Sequence, residues 1–550
     1  MIKHGNLPSV MKRHFSEVPQ ADIQRSSFQR NHGLKTAFNS QSLIPIFWDE
    51  ALPGDTMNLK MNHFGRLSTP FVPVMDNIRL ETFFFAVPYR LVWQNWEKFN
   101  GQQDNPGDST DYLTPQMTTP PANGVFAEQS LMDYFGIPTK VPNLSVNAFH
   151  FRAYNLIWNE WFRDETIQPR APMNKGDGPD LPGDYTLLPR GKRHDYFTSC
   201  LPWPQKGPSV PIFSATATAP VISGNMTATG MNAPAASWSQ MNGASQVSKA
   251  GLFLMGDATT NMRVPSGSLP STSNTSFQVK QSDGWVANLS LSTDTSVNAI
   301  RQAFQLQKLY ERDARGGTRY TETIRSHFGV VSDDARLQRP EYLGGGSTAI
   351  NITPIAQTSS SDSTTPQGNL AAIGTTSSTG HGFVKSFTEH CLIIGLANVT
   401  ADLTYQQGLD RMWSRRTRWD YYWPALAHLG EQAVLNKEIY AQGTGVTNGQ
   451  GIIDNQVFGY QERFAEYRYK NSTVTGRMRS NATQSLDIWH LSQKFNSLPT
   501  LSAPFIVDTP PLERILAVTD EPQILLDSYF NYICARPMPT YSVPGLVDHF

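Results

Sequence analysis

The segment Arg411-Met412-Trp413-Ser414-Arg415-Arg416-Thr417-Arg418-Trp419-Asp420-Tyr421-Tyr422-Trp423 interleaves cations with aromatic rings. Such a mixture can neutralise phosphates and stack unpaired bases, at roughly 1–3 kcal/mol per stacked base. Arg411, Arg415, Arg418 and Trp419 are therefore candidate nucleic-acid contacts. The same residue types also anchor protein interfaces. On that second reading Trp413, Trp419 and Trp423 pack in a core or against a partner, and the arginines pair with carboxylates. A second cationic stretch opens the chain. Lys3, Lys12, Arg13, Arg25, Arg30 and Lys35 face only Glu17 and Asp22. Residues 1–42 thus read as a basic arm, either a solvated tail or a strand of charge that meets nucleic acid.

Other chemistry-bearing groups carry less. Glu311, Arg312, Asp313, Arg315 and Arg319 cluster at a predicted helix end. Paired carboxylates can do acid–base work, but carboxylates interleaved with arginines are expected to form ion pairs. Gly344-Gly345-Gly346-Ser347-Thr348 lacks the lysine of a phosphate-binding loop, and Gly443-Thr444-Gly445 lacks dinucleotide spacing. His381, His390 and Cys391 have no regularly spaced further ligand, so no metal is expected. His194 beside Asp195 reads as a hydrogen-bonded structural pair. No Ser/His/Asp order stands out, and no catalytic residue or cofactor site is assigned.

The elements that must carry these residues follow from composition and periodicity. The 550 residues have formal charge −1, 17% charged residues and 11% aromatics. The charged fraction is low beside the usual figure of about 25%, which suits a subunit whose surface is largely covered by partners. Cys200, Cys391 and Cys534 are odd in number and far apart, so neither a disulfide framework nor a zinc site is expected. No apolar run reaches the roughly 18 residues that span a membrane, and no secretory signal follows Lys3. Residues 205–296 form a long low-charge insertion. Only seven charged residues lie between Gln205 and Ile300, yet Phe213, Trp238, Phe253, Phe277 and Trp285 could core a protrusion.

Around the insertion, alternation predicts strands at Met57–Phe64 and Ile78–Ala86, and a buried strand at Cys391–Ala397. Shorter strands are expected at Glu466–Tyr469 and near Arg514–Val518. Helices are predicted over 146–163, over 297–315 with a stop at Gly316-Gly317, and over 424–440 behind Pro424. The proline-rich stretch 536–545 reads as an extended tail. Strands at both ends of the chain, interrupted once, fit one mainly β domain over 43–550: a β-sandwich or jelly roll with large loop insertions and a few helices.

Several blocks then resemble a known family. They include Ile44-Pro45-Ile46-Phe47-Trp48-Asp49-Glu50 followed by Leu52-Pro53-Gly54-Asp55-Thr56, and Val87-Pro88-Tyr89-Arg90-Leu91-Val92-Trp93. Asn159-Glu160-Trp161-Phe162-Arg163-Asp164, Leu201-Pro202-Trp203-Pro204 and Glu311-Arg312-Asp313-Ala314-Arg315-Gly316-Gly317 follow in order. Leu337-Gln338-Arg339-Pro340-Glu341-Tyr342 and Arg536-Pro537-Met538-Pro539 complete the pattern. Together they resemble the major capsid proteins of gokushoviruses, the small single-stranded DNA bacteriophages of the microvirus group.

The resemblance implies an eight-stranded viral jelly roll and a homo-oligomer of sixty copies in a T=1 icosahedral shell around a circular single-stranded DNA genome. It implies an internal scaffolding protein, a small basic DNA-binding protein and a DNA pilot protein as partners. The insertion would project near the threefold axes toward a host-cell surface receptor. The chain would be a virion component assembled in the bacterial cytoplasm, with no cofactor, no metal and no membrane insertion. The rival reading, a secreted β-sandwich carbohydrate-binding protein or glycosidase, needs a cleft with two carboxylates or a signal peptide.

Overall fold

The computed structural model describes residues 24–119, 124–207, 297–330 and 338–541, apart from 318, 360 and 362–365, together with the backbone of short strands between 221 and 287. The chain divides into two compact units, one of residues 1–206 with 313–550 and one of Gly207–Arg312.

The larger unit is built on two antiparallel sheets. Its strands are β1 (Ser26–Gln29), β2 (His32–Phe38), β3 (Ile44–Ala51), β4 (Thr56–Leu67), β5 (Ile78–Pro88), β6 (Glu341–Ala349), β7 (Asn351–Ala356), β8 (Leu370–Ser386), β9 (Cys391–Ala401), β10 (Glu431–Leu435), β11 (Val457–Glu462) and β12 (Ile524–Arg536). The first sheet runs β1/β2–β12–β4–β8–β7, and the second β6–β5–β9–β3. From β2 to β5 successive strands alternate between the sheets, and β8, β9 and β12 alternate again. With β7 set aside as an edge addition, this is the four-plus-four wiring of a jelly roll.

Alternation explains the register. On β4, Met57, Leu59, Met61, His63 and Leu67 point inward, and on β12 Leu526, Ser528, Phe530, Tyr532 and Cys534 do the same. They meet Phe47, Ile78, Leu80, Phe84, Ile393 and Val399 of the second sheet in the central core. Phe47 and Phe530 lie 5.2 Å apart there.

The second sheet is buried on its other face too. Phe85 and Val87 of β5 and Leu392, Ile394 and Leu396 of β9 pack under α1 (Phe149–Ile157), which continues as a wider turn over Trp158–Phe162. Arg152 is fully buried in this layer and ion-paired to Asp180 at 2.6 Å, with its other donors on the carbonyls of Val92 and Gly176. A third cluster gathers Tyr196, Phe197, Tyr405, Val434, Phe458 and Phe505 beside the β10–β11 hairpin.

Helix α2 (Val297–Gly316) matches its predicted span, and α3 (Tyr320–Phe328) follows, ended by Gly329 at φ +70°. In the smaller unit, short strand pairs join Val221–Ser223 to Trp285–Ala287 and Ser239–Asn242 to Phe277–Gln278.

Several expectations need correction. Residues 26–29 and 32–38, read as arm, are strands of the first sheet, because their edge pairs with the whole length of β12. No helix spans 424–440. Gly430 at φ +90° breaks the chain after one turn, and Glu431–Leu435 alternates as a strand before a short turn of helix at Asn436–Ile439. Ala465–Tyr467 and Leu512–Arg514 are 3-10 turns, not strands. The regular structure of β12 also reaches Arg536, into the stretch read as tail.

Candidate assembly and nucleic-acid surfaces

The cation–aromatic segment folds as short 3-10 turns, Arg411–Ser414 and Arg418–Asp420. Asp410 caps the first by accepting from the amide of Met412 at 3.0 Å. Asp420 accepts from the amides of Thr417 and Arg416, which hold its carboxyl below the usual carboxylate range. These local bonds present the side chains in two layers.

The inner layer is ion-paired. Arg411 reaches Glu438 at 3.0 Å and the carbonyl of Ala433 at 2.8 Å. Arg415 sits 3.4 Å from Glu466 and 4.2 Å above the Tyr467 ring. Glu438 also accepts from the Tyr196 hydroxyl at 2.9 Å. Burial pushes the Glu438 carboxyl up, and Arg411 pulls against that shift.

The outer layer is aromatic and open. Trp413 is 72% exposed and Trp419 59%, with Tyr421, Tyr422 and Trp423 exposed beside them. Arg418 lies between two rings, 4.5 Å from Trp423 and 5.5 Å from Trp419. Of the four site residues named from this segment, Arg418 and Trp419 face outward, whereas Arg411 and Arg415 are engaged with carboxylates of their own subunit. The sequence alone could not separate them, since Glu438 and Glu466 are distant along the chain.

Of the arm cations, Arg30 pairs with Asp49 and lies 5.2 Å over Tyr532, whose hydroxyl donates to the same carboxylate at 2.6 Å. Arg25 donates to the Thr56 hydroxyl at the sheet edge. Lys3, Lys12 and Arg13 lie outside the described residues, as do Phe213, Trp238 and Phe253. Phe277 and Trp285 stand in the short strands already given.

Arg315 in the last turn of α2 and Arg319 just beyond it are also paired. Arg315 bridges Glu431 at 2.5 Å and Glu462 at 3.1 Å. Arg319 bridges Glu165 at 2.6 Å and Glu322 at 3.1 Å. They line a cleft of about 1070 Å³ with Arg163, Lys192 and Trp161. Burial lowers Lys192 to about 8, against the pull of Asp508 and Asp195, and its ammonium donates to the Phe505 carbonyl at 2.6 Å. Asp195 accepts from Tyr405 at 2.5 Å and from the amides of Phe197 and Thr198, so it fixes a turn. His381 bonds the hydroxyls of Thr82 at 2.9 Å and Thr348 at 3.1 Å, and burial pushes the Cys391 thiol up to about 12. Among the described residues no cluster of His, Cys, Asp or Glu could hold a metal.

The chain matches the family described as "Capsid protein (F protein)" over residues 16–546. The chain belongs to that phage capsid protein family. It is 48% identical to "Capsid protein VP1" of Bdellovibrio phage phiMH2K, across 98% of each chain. It is 46% identical to "Capsid protein VP1" of Chlamydia phage 1, across 99% of this chain and 100% of that one. The corresponding protein of Spiroplasma virus 4 is 37% identical across 97% of each. The motif resemblance and the structural, non-enzymatic reading therefore hold: this capsid protein is a virion component that assembles as a multimer. Among the described residues no helix is long and apolar enough to cross a membrane.

One surface of the capsid protein went unnoticed in the sequence. The outer face of the first sheet carries Lys60, Phe64 and Arg66 on β4 and Leu525, Tyr529 and Ile533 on β12, all exposed. The strict alternation of Ile524–Arg536 is the signal that could have found it.

Proposed function

We propose that sixty copies of this capsid protein close a T=1 icosahedral shell around a circular single-stranded DNA genome. The outward aromatic layer of residues 412–423 is one of the contacts that join neighbouring copies. The observation that carries this is the pairing beneath it: Arg411 and Arg415 are tied to Glu438 and Glu466, while Trp413 and Trp419 stand open to solvent. A contiguous apolar patch of this kind marks an interaction site, and buried Trp, Tyr and Arg dominate interface energies. Specific contacts bury about 1,200–2,000 Å² in total, which a patch of five exposed rings can centre.

On the same reading, basic residues of the 1–42 stretch meet the genome and residues 205–296 carry host attachment, since a surface insertion can vary without disturbing a sheet. Scaffolding, small basic DNA-binding and DNA pilot proteins complete the set of partners. The test is the double variant Trp413→Ala/Trp419→Ala. Subunits should stay soluble and folded, while shells seen by negative-stain microscopy should be lost. Shells formed at the normal yield would exclude this patch as a contact.

A further inference from the structure

The two outer faces of the sandwich differ. That of β6–β5–β9–β3 is covered within the chain by α1 and its surrounding layer. That of β1/β2–β12–β4–β8 has no such covering layer among the described residues. Along β4, Lys60, Asn62, Phe64 and Arg66 all point outward, one every two residues, about 7 Å apart. The register sets each between two neighbours: Arg66 beside Leu525, Phe64 beside Asp527, Asn62 beside Tyr529 and Lys60 beside Asn531. Phe64 is 55% exposed and Tyr529 49%. They occupy diagonal positions of one antiparallel pair, about 7–8 Å apart, within reach of successive planar groups.

The charges on this face are unbalanced. Asp527 is the one carboxylate among its described outward residues on β4 and β12, and Lys35 already pairs with it at 3.4 Å. Lys60 and Arg66 have no carboxylate partner among the described residues. Arg25, at the β1 edge, is held by a hydroxyl, not an acid. The remaining outward groups on β4 and β12 are the amides Asn58, Asn62 and Asn531 and the apolar Leu525 and Ile533, with Thr375 and Ser377 opposite β4 on β8.

We infer that this sheet face is a platform for single-stranded nucleic acid, with Phe64 and Tyr529 stacking bases and Lys60, Arg66 and Arg25 meeting phosphates. The inference rests on the reading that the capsid encloses such a genome. Cations, amides and two spaced rings on a regular surface suit a strand with phosphates on its edge and open base faces, without sequence preference. A second copy would have to bring acids to the same face or bury two unpaired cations, at a desolvation cost.

The test uses purified full-length subunit and a fluorescently labelled 20-nucleotide poly-dT, with anisotropy measured from 50 to 300 mM salt. Phe64→Ala/Tyr529→Ala should weaken binding at least about tenfold. Lys60→Ala/Arg66→Ala should reduce the slope of log affinity against log salt by about 1.4, as two single-strand phosphate contacts imply. Both double variants should still form shells. Wild-type affinity and salt slope in both variants would overturn the inference, as would a wild-type subunit that does not bind the oligonucleotide. Variants that keep DNA affinity but lose shells would make the face a contact between copies and overturn it as well. Shell formation is scored separately, so the capsid reading survives any failure of the platform.

Discussion

His63 sits inside the sandwich on β4, buried, with neither ring nitrogen hydrogen-bonded among the described residues. Its ring centroid is 5.2 Å from that of His381. Burial, with a smaller contribution from His381, lowers its pKa from 6.5 to about 4. The unfolded chain therefore takes up a proton at about pH 6.5 that the folded subunit refuses until about pH 4. Stability from this residue is complete above pH 6.5 and falls as pH drops through that window, because the unfolded state binds more protons there. At 1.36 kcal/mol per pKa unit, the loss is about 3 kcal/mol by pH 4. His381, also lowered by burial, adds in the same sense. Replacing His63 with Phe removes the titration and the two unpartnered nitrogens together. The difference between wild-type and His63→Phe stability, from urea unfolding of unassembled subunits, should then shift by about 3 kcal/mol between pH 7.5 and 4. Taking the difference cancels the carboxylates that titrate in both proteins. Parallel stability curves over that range would refute the argument, since they would mean that the folded subunit already accommodates a charged His63.

Three further outcomes follow from packing. Asp180→Ala strands the fully buried Arg152 guanidinium, and unfolding free energy should fall by about 3–5 kcal/mol; a loss under about 1 kcal/mol would show that the pair does not organise the α1 layer. Phe530→Ala empties the centre of the sandwich and should cost about 3–5 kcal/mol by the same urea measurement, whereas truncating the exposed Leu525 one strand face away should cost little. Gly382→Ala puts a Cβ 1.9 Å from the Leu59 carbonyl and should lower the melting temperature sharply, while Gly183→Ala, with nothing within 4 Å, should leave it unchanged; equal melting temperatures would refute the close approach of β4 and β8.

Where one face of a strand is apolar and the other polar, the sequence sufficed. Met57–Phe64 and Ile78–Ala86 fall inside β4 and β5, and the long run at Cys391–Ala397 is β9. β8 stayed hidden because its residues are mostly Ala, Gly, Ser and Thr. The structure supplies the reason: at Gly374 and Gly382 neighbouring strands already occupy the space of a side chain. Pro424 gave a sound helix-start signal, but Gly430 and the pairing of β10 with β11 overrode it. The arm was read from charge, and charge is silent about the edge of β12, to which β1 and β2 add. At the site, residue types announced an Arg/Trp surface. Which arginines are paired depended on Glu438 and Glu466, brought in by tertiary contacts that no local pattern encodes.

The most direct test of the central claim is the mass and symmetry of the purified particle. Sixty copies of a 61.3 kDa chain should give a protein shell of about 3.7 MDa, and cryo-electron microscopy should show T=1 icosahedral symmetry with one jelly roll per asymmetric unit. A protein that remains monomeric or in small oligomers when produced with its own phage's assembly proteins, or a shell with another copy number, would contradict the account.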